Sequence, residues 1–426
     1  MLDLISLVSF SVLGVIGWIT YKMLVWPFYI SPLRKIPGPP CENLFTGNLR
    51  TLMTEEPGFD EPQHRWVKKY GNIVKYHGLF NEPTLYVADS KIIQEITLSK
   101  TYDFVKPYNP SALAIAGVGL VFSEGENHKR QRKMMNPAFT YNNIKEMVPT
   151  FIRVTTTLKG LIEKEVNLGK SNINLTPYLS KTTLDVIGLV GFNYEFNSLT
   201  SSNELATAYD SLFNQPATKL RIAMSLLSRY VPLIRQIPID INKKFRDSYD
   251  EELKYQIMTF LIAGHETTNV TTCWALYLLA QHPHEQDLLR EELVKAFPDK
   301  SNFNPTYDEI NSLEHLNCNT EMFIGISALH KSTEIWGPTA DKYNPKRWLD
   351  PSLIKNVTNL NYLPFFNGAR GCIGNKVALA EMKIILGMLI RNFVFQPIEG
   401  FHIRKKVFPV PKPDPYLGLI VSIVES

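Results

Sequence analysis

Cysteine is scarce in this 426-residue chain, which contains only four. They are Cys41, Cys273, Cys318 and Cys372, and no two of them form the C-x-x-C pair that would indicate a zinc site or a redox dithiol. So few cysteines in so long a chain favour a reducing compartment over a disulfide framework. We therefore expect Cys372 to remain a thiol or thiolate.

The chain also lacks a strong charge of either sign. Its 45 Lys and Arg residues against 41 Asp and Glu give a net charge of +4, and the basic residues are not massed with aromatic ones. This pattern gives no support to a nucleic-acid partner. At 44% apolar and 20% charged residues the composition is that of a globular protein, which excludes a disordered or fibrous class.

Two common ligand motifs are absent as well. No G-x-G-x-x-G loop indicates a nicotinamide site, since an isolated Gly117-x-Gly119 is weak. The zinc signature H-E-x-x-H begins at His265 but fails, because Asn269 stands where the second histidine should be. The sequence therefore predicts neither a nicotinamide site nor a zinc site of these two kinds.

One long apolar run is present, at the N-terminus. Leu4 to Tyr21 contains 18 residues without a formal charge, which at ~1.5 Å per residue is just enough helix to cross a bilayer. A cleaved signal peptide is the alternative, but Asp3 stands where such a peptide carries positive charge. We interpret residues 1–30 as a single-pass membrane anchor, with Lys22 and the basic residues after it keeping the following domain in the cytosol.

Residues 31–426 are predicted to form one domain, mainly α with small β-sheets. The proline-rich Ile36–Pro40 cannot be helical and is interpreted as a stiff hinge. Period-two patterns predict strands and 3.6-residue patterns predict helices. The strand segments are 84–90 and 416–424, and the helix segments are 283–297 and 376–393.

A second feature is a long apolar helix, predicted over residues 251–281, that is interrupted by polar residues. Gly264, Glu266, Thr267 and Thr268 fall inside it, and a buried acid beside hydroxyls needs a reason. A kinked core helix whose threonines bond back to carbonyls one turn earlier is one explanation. The other is that Glu266 and Thr267 handle protons beside a turn where Gly264 leaves room for a small ligand and water.

Cys372 lies at the head of the predicted helix 376–393. Free backbone amides at a helix N-terminus bias a thiol towards thiolate. Gly374 would let backbone approach a flat cofactor, Arg370 could neutralise a carboxylate at the cofactor rim, and Phe365 could pack beside the sulfur. These are the requirements of a thiolate ligand to haem iron.

The segment Phe365 to Gly374, with Gly368, Arg370 and Cys372 inside it, resembles the F-x-x-G-x-R-x-C-x-G haem signature of the cytochrome P450 family. Other segments resemble that family in the same order: the proline hinge, AGHETT (263–268) and NPKRW (344–348). His128 and Arg132 stand where the family has W-x-x-x-R, which leaves them available as partners of a haem propionate. The expected fold is therefore the P450 fold, preceded by a transmembrane helix.

The resemblance implies a haem-dependent monooxygenase. Cys372 would ligate the iron of haem b, and Glu266 with Thr267 would help deliver protons to bound dioxygen. An NADPH-dependent flavoprotein reductase in the same endoplasmic reticulum membrane would supply electrons. The basic run 129–133 could dock that reductase, although a solvated helix surface explains the run about as well. Apolar segments at 109–122 and 214–231 favour a lipophilic substrate.

The chain also departs from the family pattern. No Glu is followed at the third place by Arg, so the Glu-x-x-Arg pair that normally holds the counterpart of Arg347 is missing near residue 321. A second apparent gap lies near residue 250. Arg347 is therefore expected to be unpaired, at a cost of roughly 3 to 5 kcal/mol. The missing pair favours one alternative to a working monooxygenase, a non-catalytic remnant unable to hold haem stably. A second alternative is a haem-thiolate isomerase or dehydratase, which would not need Glu266 and Thr267, so their presence counts against it.

Overall fold

Helices make up most of the described chain. The computed structural model describes residues 4–53, 62–106, 113, 117–201, 251–299, 302–320, 329–406 and 410–424. The α-helices there are α1 (Leu4–Thr20), α2 (Leu49–Met53), α3 (Pro62–Tyr70), α4 (Ser90–Gln94), α5 (Gly125–Met135), α6 (Tyr141–Asn167), α7 (Thr176–Phe192), α8 (Glu251–Leu261), α9 (Thr267–Gln281), α10 (Pro283–Ala296), α11 (Tyr307–Ser312), α12 (Glu314–Thr320), α13 (Thr333–Trp336), α14 (Pro351–Ile354) and α15 (Asn375–Asn392).

The strands form three small antiparallel sheets. They are β1 (Ile73–His77), β2 (Pro83–Val87), β3 (Asn172–Asn174), β4 (Phe393–Pro397), β5 (Arg404–Lys406), β6 (Lys412–Asp414) and β7 (Gly418–Ile423). β1 pairs with β2, β5 pairs with β6, and β7 lies between β3 and β4. The prediction of a mainly α fold with small sheets is confirmed.

The main core lies between α6, α7, α9 and α15. Along α6 all but one of the buried residues fall at alternating steps of four and three, which keeps them on one face of a helix; the buried residues are Ile144, Val148, Phe151, Val154, Thr155, Leu158 and Ile162, and Val154 is the exception to the spacing. α15 is buried at every residue from Ala380 to Arg391. The helix that follows Cys372 is therefore fixed in the centre of the protein.

The N-terminal helix continues past its apolar run and packs onto the domain. α1 is followed by a π-helical segment, Tyr21–Ile30, that contains Pro27. A proline has no N–H, so a carbonyl in the preceding turn loses its usual donor. The buried side-chain amide of Asn81 donates to Met23 O at 2.6 Å. Residues Ser9–Ile30 are long and apolar enough to cross a membrane, and only 6% of that span is buried, which is weak evidence for an anchor.

The segment predicted to be a hinge, Ile36–Pro40, is held against the domain. Lys75 N–H, on β1, donates to Pro37 O at 3.0 Å. A Cβ on Gly38 would lie 1.7 Å from Lys75 O, so this glycine is needed for the close approach of the two backbones. Ile36–Pro40 is non-helical, as expected, but it runs against the edge of β1.

The long helix predicted over 251–281 is divided by a π-helical turn, Ile262–Glu266, between α8 and α9. The expected role of Gly264 is wrong. A Cβ at that position would lie 2.7 Å from Ile187 Cδ1, so the space beside this glycine is filled by a side chain of α7. The glycine allows two helices to pack closely, and it leaves no room there for a ligand.

Arg347 is not unpaired, so that expectation is also wrong. Its side chain is buried and donates to three backbone carbonyls: Nη2 to Thr339 O at 2.6 Å and Lys342 O at 2.8 Å, and Nε to Asn344 O at 3.1 Å. The local turn 339–347 wraps around the guanidinium and replaces a carboxylate partner with neutral acceptors. Parts of the two suspected gaps and of the apolar segment 109–122, and the whole of the apolar segment 214–231, lie outside the described residues.

Candidate functional site

The loop before Cys372 is held by backbone contacts. A short 3-10 turn, Gly368–Arg370, precedes the cysteine, and Cys372 N–H donates to Phe365 O at 2.8 Å. Gly368 has φ +67°, and a Cβ there would lie 2.0 Å from Thr97 O. Only glycine fits this position, because the conformation is left-handed and another backbone passes directly beside it.

The protein groups around Cys372 do not lower the pKa of its thiol, contrary to the expected bias towards thiolate. The side chain reaches solvent, but the protein packed around it makes burial the largest influence, and burial raises the pKa of the thiol above its ordinary value. The Gly374 N–H and the charge of Arg132 act in the opposite direction without overcoming it. The free chain therefore favours a neutral thiol.

A cluster of cations surrounds the loop. Arg132, on α5, donates through Nη1 to Gly371 O and through Nε to Asn136 Oδ1. Arg370 pairs with Glu124 through both Nη atoms. Lys106 donates from Nζ to Ser123 O at 3.0 Å, next to Glu124. Within this cluster Lys106, Arg132 and Arg370 give three positive charges against the single negative charge of Glu124.

His128 lies inside the same cluster and is almost fully buried. Its Nδ1 is hydrogen-bonded to the Tyr102 hydroxyl at 2.9 Å. Burial lowers the pKa of His128, and the nearby Lys106, Arg370 and Arg132 lower it further. The site therefore has a positive potential that suits an anionic group, and His128 is neutral in it.

The acid and alcohol of the central helix are both held in place. Thr267 Oγ1 donates to Ala263 O at 2.6 Å, one turn earlier. Glu266 is buried and forms an ion pair with Lys412 of β6, with Oε2 and Nζ 2.8 Å apart. His265 is fully buried against Ser180, and burial lowers its pKa to about 4. The hydrogen bond back to Ala263 agrees with the kinked-helix explanation, but that explanation does not account for the buried Glu266.

Aromatic contacts connect the central helix with the cysteine loop. The Phe139 ring is 6.0 Å from that of Phe260, on α8. A Cβ on Gly374 would lie 3.7 Å from Phe139 Cε1. The structure thus brings the loop around Cys372 together with α5, which carries His128 and Arg132. Phe139 lies between the loop and the helix that leads to Glu266 and Thr267.

Comparison with known proteins gives a consistent result. The sequence profile of the cytochrome P450 family matches residues 37–249, 239–318 and 314–416. The chain belongs to the cytochrome P450 family. It is 30% identical to cytochrome P450 monooxygenase 205 of Postia placenta over 96% of this chain and 94% of that protein. It is 28% identical to the cytochrome P450 monooxygenase sphH of Aspergillus fumigatus over 93% and 90% of the two chains.

By its resemblance to these relatives the P450 is a monooxygenase, and its family implies a haem cofactor. The matches also show that the chain is short. The match to the Postia placenta protein extends over 527 positions, whereas 96% of this chain accounts for only about 409 of them. About 118 positions of that match therefore have no counterpart here. The profile match divides at 239–249 and at 314–318.

The residues around Cys372 fit a haem group. The three cations and one carboxylate of the cluster leave two net positive charges, and haem carries two carboxylates. Arg370 Nε is buried and has no hydrogen-bond partner among the described residues, so a donor is left for an anionic ligand. Cys372 is an exposed residue, which leaves it within reach of a metal.

Sequence reasoning missed several of these residues. Tyr102, Lys106, Glu124 and Lys412 were not predicted, although each contacts or faces a residue that was. Glu124 could have been suspected, because it immediately precedes a basic helix. Lys412 carries no local signal, since it lies far along the chain from Glu266.

Proposed function

We propose that this P450 is a membrane-attached monooxygenase that inserts one atom of O2 into a lipophilic substrate, using electrons from a separate reductase. The observation that carries the proposal is the arrangement around Cys372. An exposed cysteine lies beside Arg132 and Arg370, in a cluster whose net charge complements haem. A buried acid and an alcohol stand side by side in the central helix.

In this proposal each predicted residue has a role. Cys372 is the iron ligand, and His128, Arg132 and Arg370 bind the carboxylates of haem b. When bound, haem supplies the activation of dioxygen. Phe365 fixes the loop by accepting the Cys372 N–H, as its carbonyl does in the structure. The two glycines act differently: Gly368 admits the neighbouring backbone, and Gly374 leaves a face of the loop uncovered.

Glu266 and Thr267 are proposed to handle protons. Thr267 Oγ1 is oriented by Ala263 O, which leaves its oxygen lone pairs free to accept a further hydrogen bond. Glu266 is buried, but its partner Lys412 is 22% exposed. This ion pair therefore links the acid to the protein surface, as a residue that relays protons requires.

The electron donor is proposed to be an NADPH-dependent flavoprotein reductase, in the endoplasmic reticulum membrane with the anchor and with the catalytic domain in the cytosol. Of the basic run on α5, Lys129 is exposed, whereas Arg132 turns inward to the Cys372 loop. Any docking surface on this helix therefore excludes Arg132.

A second candidate is a non-catalytic relative that does not hold haem stably. The absence of Glu-x-x-Arg, the roughly 118 unmatched positions and the division of the profile match near 250 and 316 favour internal deletions. The three carbonyl acceptors of Arg347 count against the instability argument. Both candidates share the family and differ in whether haem is retained.

The deciding test is the spectrum of the purified chain reconstituted with haem. A working P450 should bind one haem per chain, and its reduced form should give a red-shifted Soret band with carbon monoxide. Cys372→Ala should lose that band, while Cys41→Ala, whose thiol bonds to Asn43 O, should keep it. Failure of the wild-type chain to retain haem after gel filtration would favour the non-catalytic candidate.

A further inference from the structure

Glu124 forms an ion pair that joins two distant parts of the chain. Its Oε1 lies 3.1 Å from Arg370 Nη1, its Oε2 contacts Nη2, and the two residues are 246 positions apart. The Lys106 N–H also donates to Glu124 Oε1, at 3.0 Å. Glu124 is thus itself held in place, and it fixes a guanidinium two residues before Cys372.

The geometry of this pair leaves part of Arg370 free. A guanidinium has five N–H groups in one plane, and a carboxylate bound through both Nη atoms takes its outer end. One side edge remains, made of Nε–H and the neighbouring Nη N–H. Nε is buried and has no hydrogen-bond partner among the described residues. A second carboxylate could therefore bind Arg370 at the same time as Glu124.

The charge of the cluster does not by itself explain why an acid is present in it. Without Glu124 the cluster of Lys106, Arg132 and Arg370 would carry three positive charges. With it, the net charge is two, equal and opposite to that of the two haem carboxylates. An acid inside an anion-binding site usually weakens binding, so a role for Glu124 has to come from orientation rather than attraction.

We propose that Glu124 is a positioning residue for the cofactor: it holds the outer end of Arg370 so that the Nε edge faces a haem carboxylate. This inference rests on the proposed function, because it needs haem to bind at Cys372. The haem-signature motif Phe365 to Gly374 contains no acidic residue, so the motif alone does not predict this role for Glu124.

The test compares two porphyrins. Haem and its dimethyl ester, in which both carboxylates are blocked, are titrated into the purified full-length apoprotein, and dissociation constants are read from the Soret band. Glu124→Gln should weaken haem binding about 10- to 100-fold, the usual effect of losing an outer partner of a bound group. The same variant should bind the ester as the wild type does, because no carboxylate is present to be oriented.

Glu126→Gln is the matched control. Glu126 lies two residues further on, in the first turn of α5, but it is exposed and pairs with Lys129, so both porphyrins should bind this variant normally. Adding Glu124→Gln to an Arg370→Gln background should change nothing further, since the two residues act through one bond. Glu124→Asp, which keeps the charge but shortens the reach, provides a second variant if the glutamine variant does not fold, and it should also lose haem selectively.

Three results would overturn the inference. Haem binding by Glu124→Gln that is unchanged or tighter would mean that Glu124 only repels the carboxylates. An equal loss of haem and ester would indicate a structural role, as would a matching effect of Glu126→Gln. A wild type that retains no haem would refute the proposed function, whereas a wild type with the red-shifted carbon monoxide band whose Glu124→Gln variant binds haem normally would overturn this inference alone.

Discussion

The cysteine loop passes close to the backbone of Thr97 at Gly368, which makes Gly368→Ala a sharp perturbation. A left-handed conformation costs a non-glycine residue about 1–2 kcal/mol. The new Cβ would also lie 2.0 Å from Thr97 O, a backbone atom that cannot rotate away. Forcing such a contact costs about 1–3 kcal/mol. The substitution should therefore lower the free energy of unfolding by roughly 2–5 kcal/mol.

Gly374→Ala is the matched control in the same loop. Its φ is −94°, and the nearest atom to the new Cβ is Phe139 Cε1 at 3.7 Å, an ordinary contact. This variant should unfold within about 1 kcal/mol of the wild type. Guanidinium titrations of the apoproteins followed by tryptophan fluorescence measure both. Equal midpoints for the two alanine variants would refute the reasoning, because they would mean that the loop is not packed against Thr97.

Three further predictions concern stability, each read from guanidinium midpoints. Arg347→Met should cost about 3 kcal/mol, because three carbonyls lose their donor; an unchanged midpoint would show that water replaces it. Asn81→Ala should cost about 1–3 kcal/mol by leaving Met23 O unpaired, while Asn72→Ala, exposed on the same hairpin, should be neutral. Burial lowers the pKa values of His265 and His330 to about 4, so the unfolded chain takes up protons first as the pH falls; stability should drop between about pH 6.5 and 4, and His330→Gln should reduce the slope without abolishing it, since the pKa values of His77 and His128 are lowered too.

The elements that sequence predicted best have strong local patterns. The helix expected at 376–393 is Asn375–Asn392, and that expected at 283–297 is Pro283–Ala296. The predicted strand 84–90 is found at Pro83–Val87. In each case the pattern of apolar residues, or a proline at the start, is sufficient because the element satisfies its hydrogen bonds within itself or with its neighbour in sequence.

Pairings between distant segments could not be predicted in this way. Gly264 was expected to make room for a ligand, but the space is taken by Ile187, from a helix about 77 residues earlier. Glu124 and Arg370 lie 246 residues apart, and Lys412 reaches Glu266 from the C-terminal hairpin. Spacing along one sequence does not encode which of many Lys or Glu residues will meet, because that depends on the packing of whole helices.

The distribution of these contacts bears on whether a shortened P450 can still work. Cys372, Arg132, Glu266 and Thr267 all lie in segments that the family profile matches, and their hydrogen-bond partners are present. The weak point is instead Arg347, which donates to three neutral carbonyls that bring no full negative charge, so that burial lowers its pKa with only Asp341 opposing. Three carbonyls compensate a buried cation less fully than a carboxylate does, and the deficit falls on the turn around Arg347 rather than on the site. Loss of the Glu-x-x-Arg pair should therefore reduce stability before it alters the haem site, and a chain that folds should retain the carbon monoxide band.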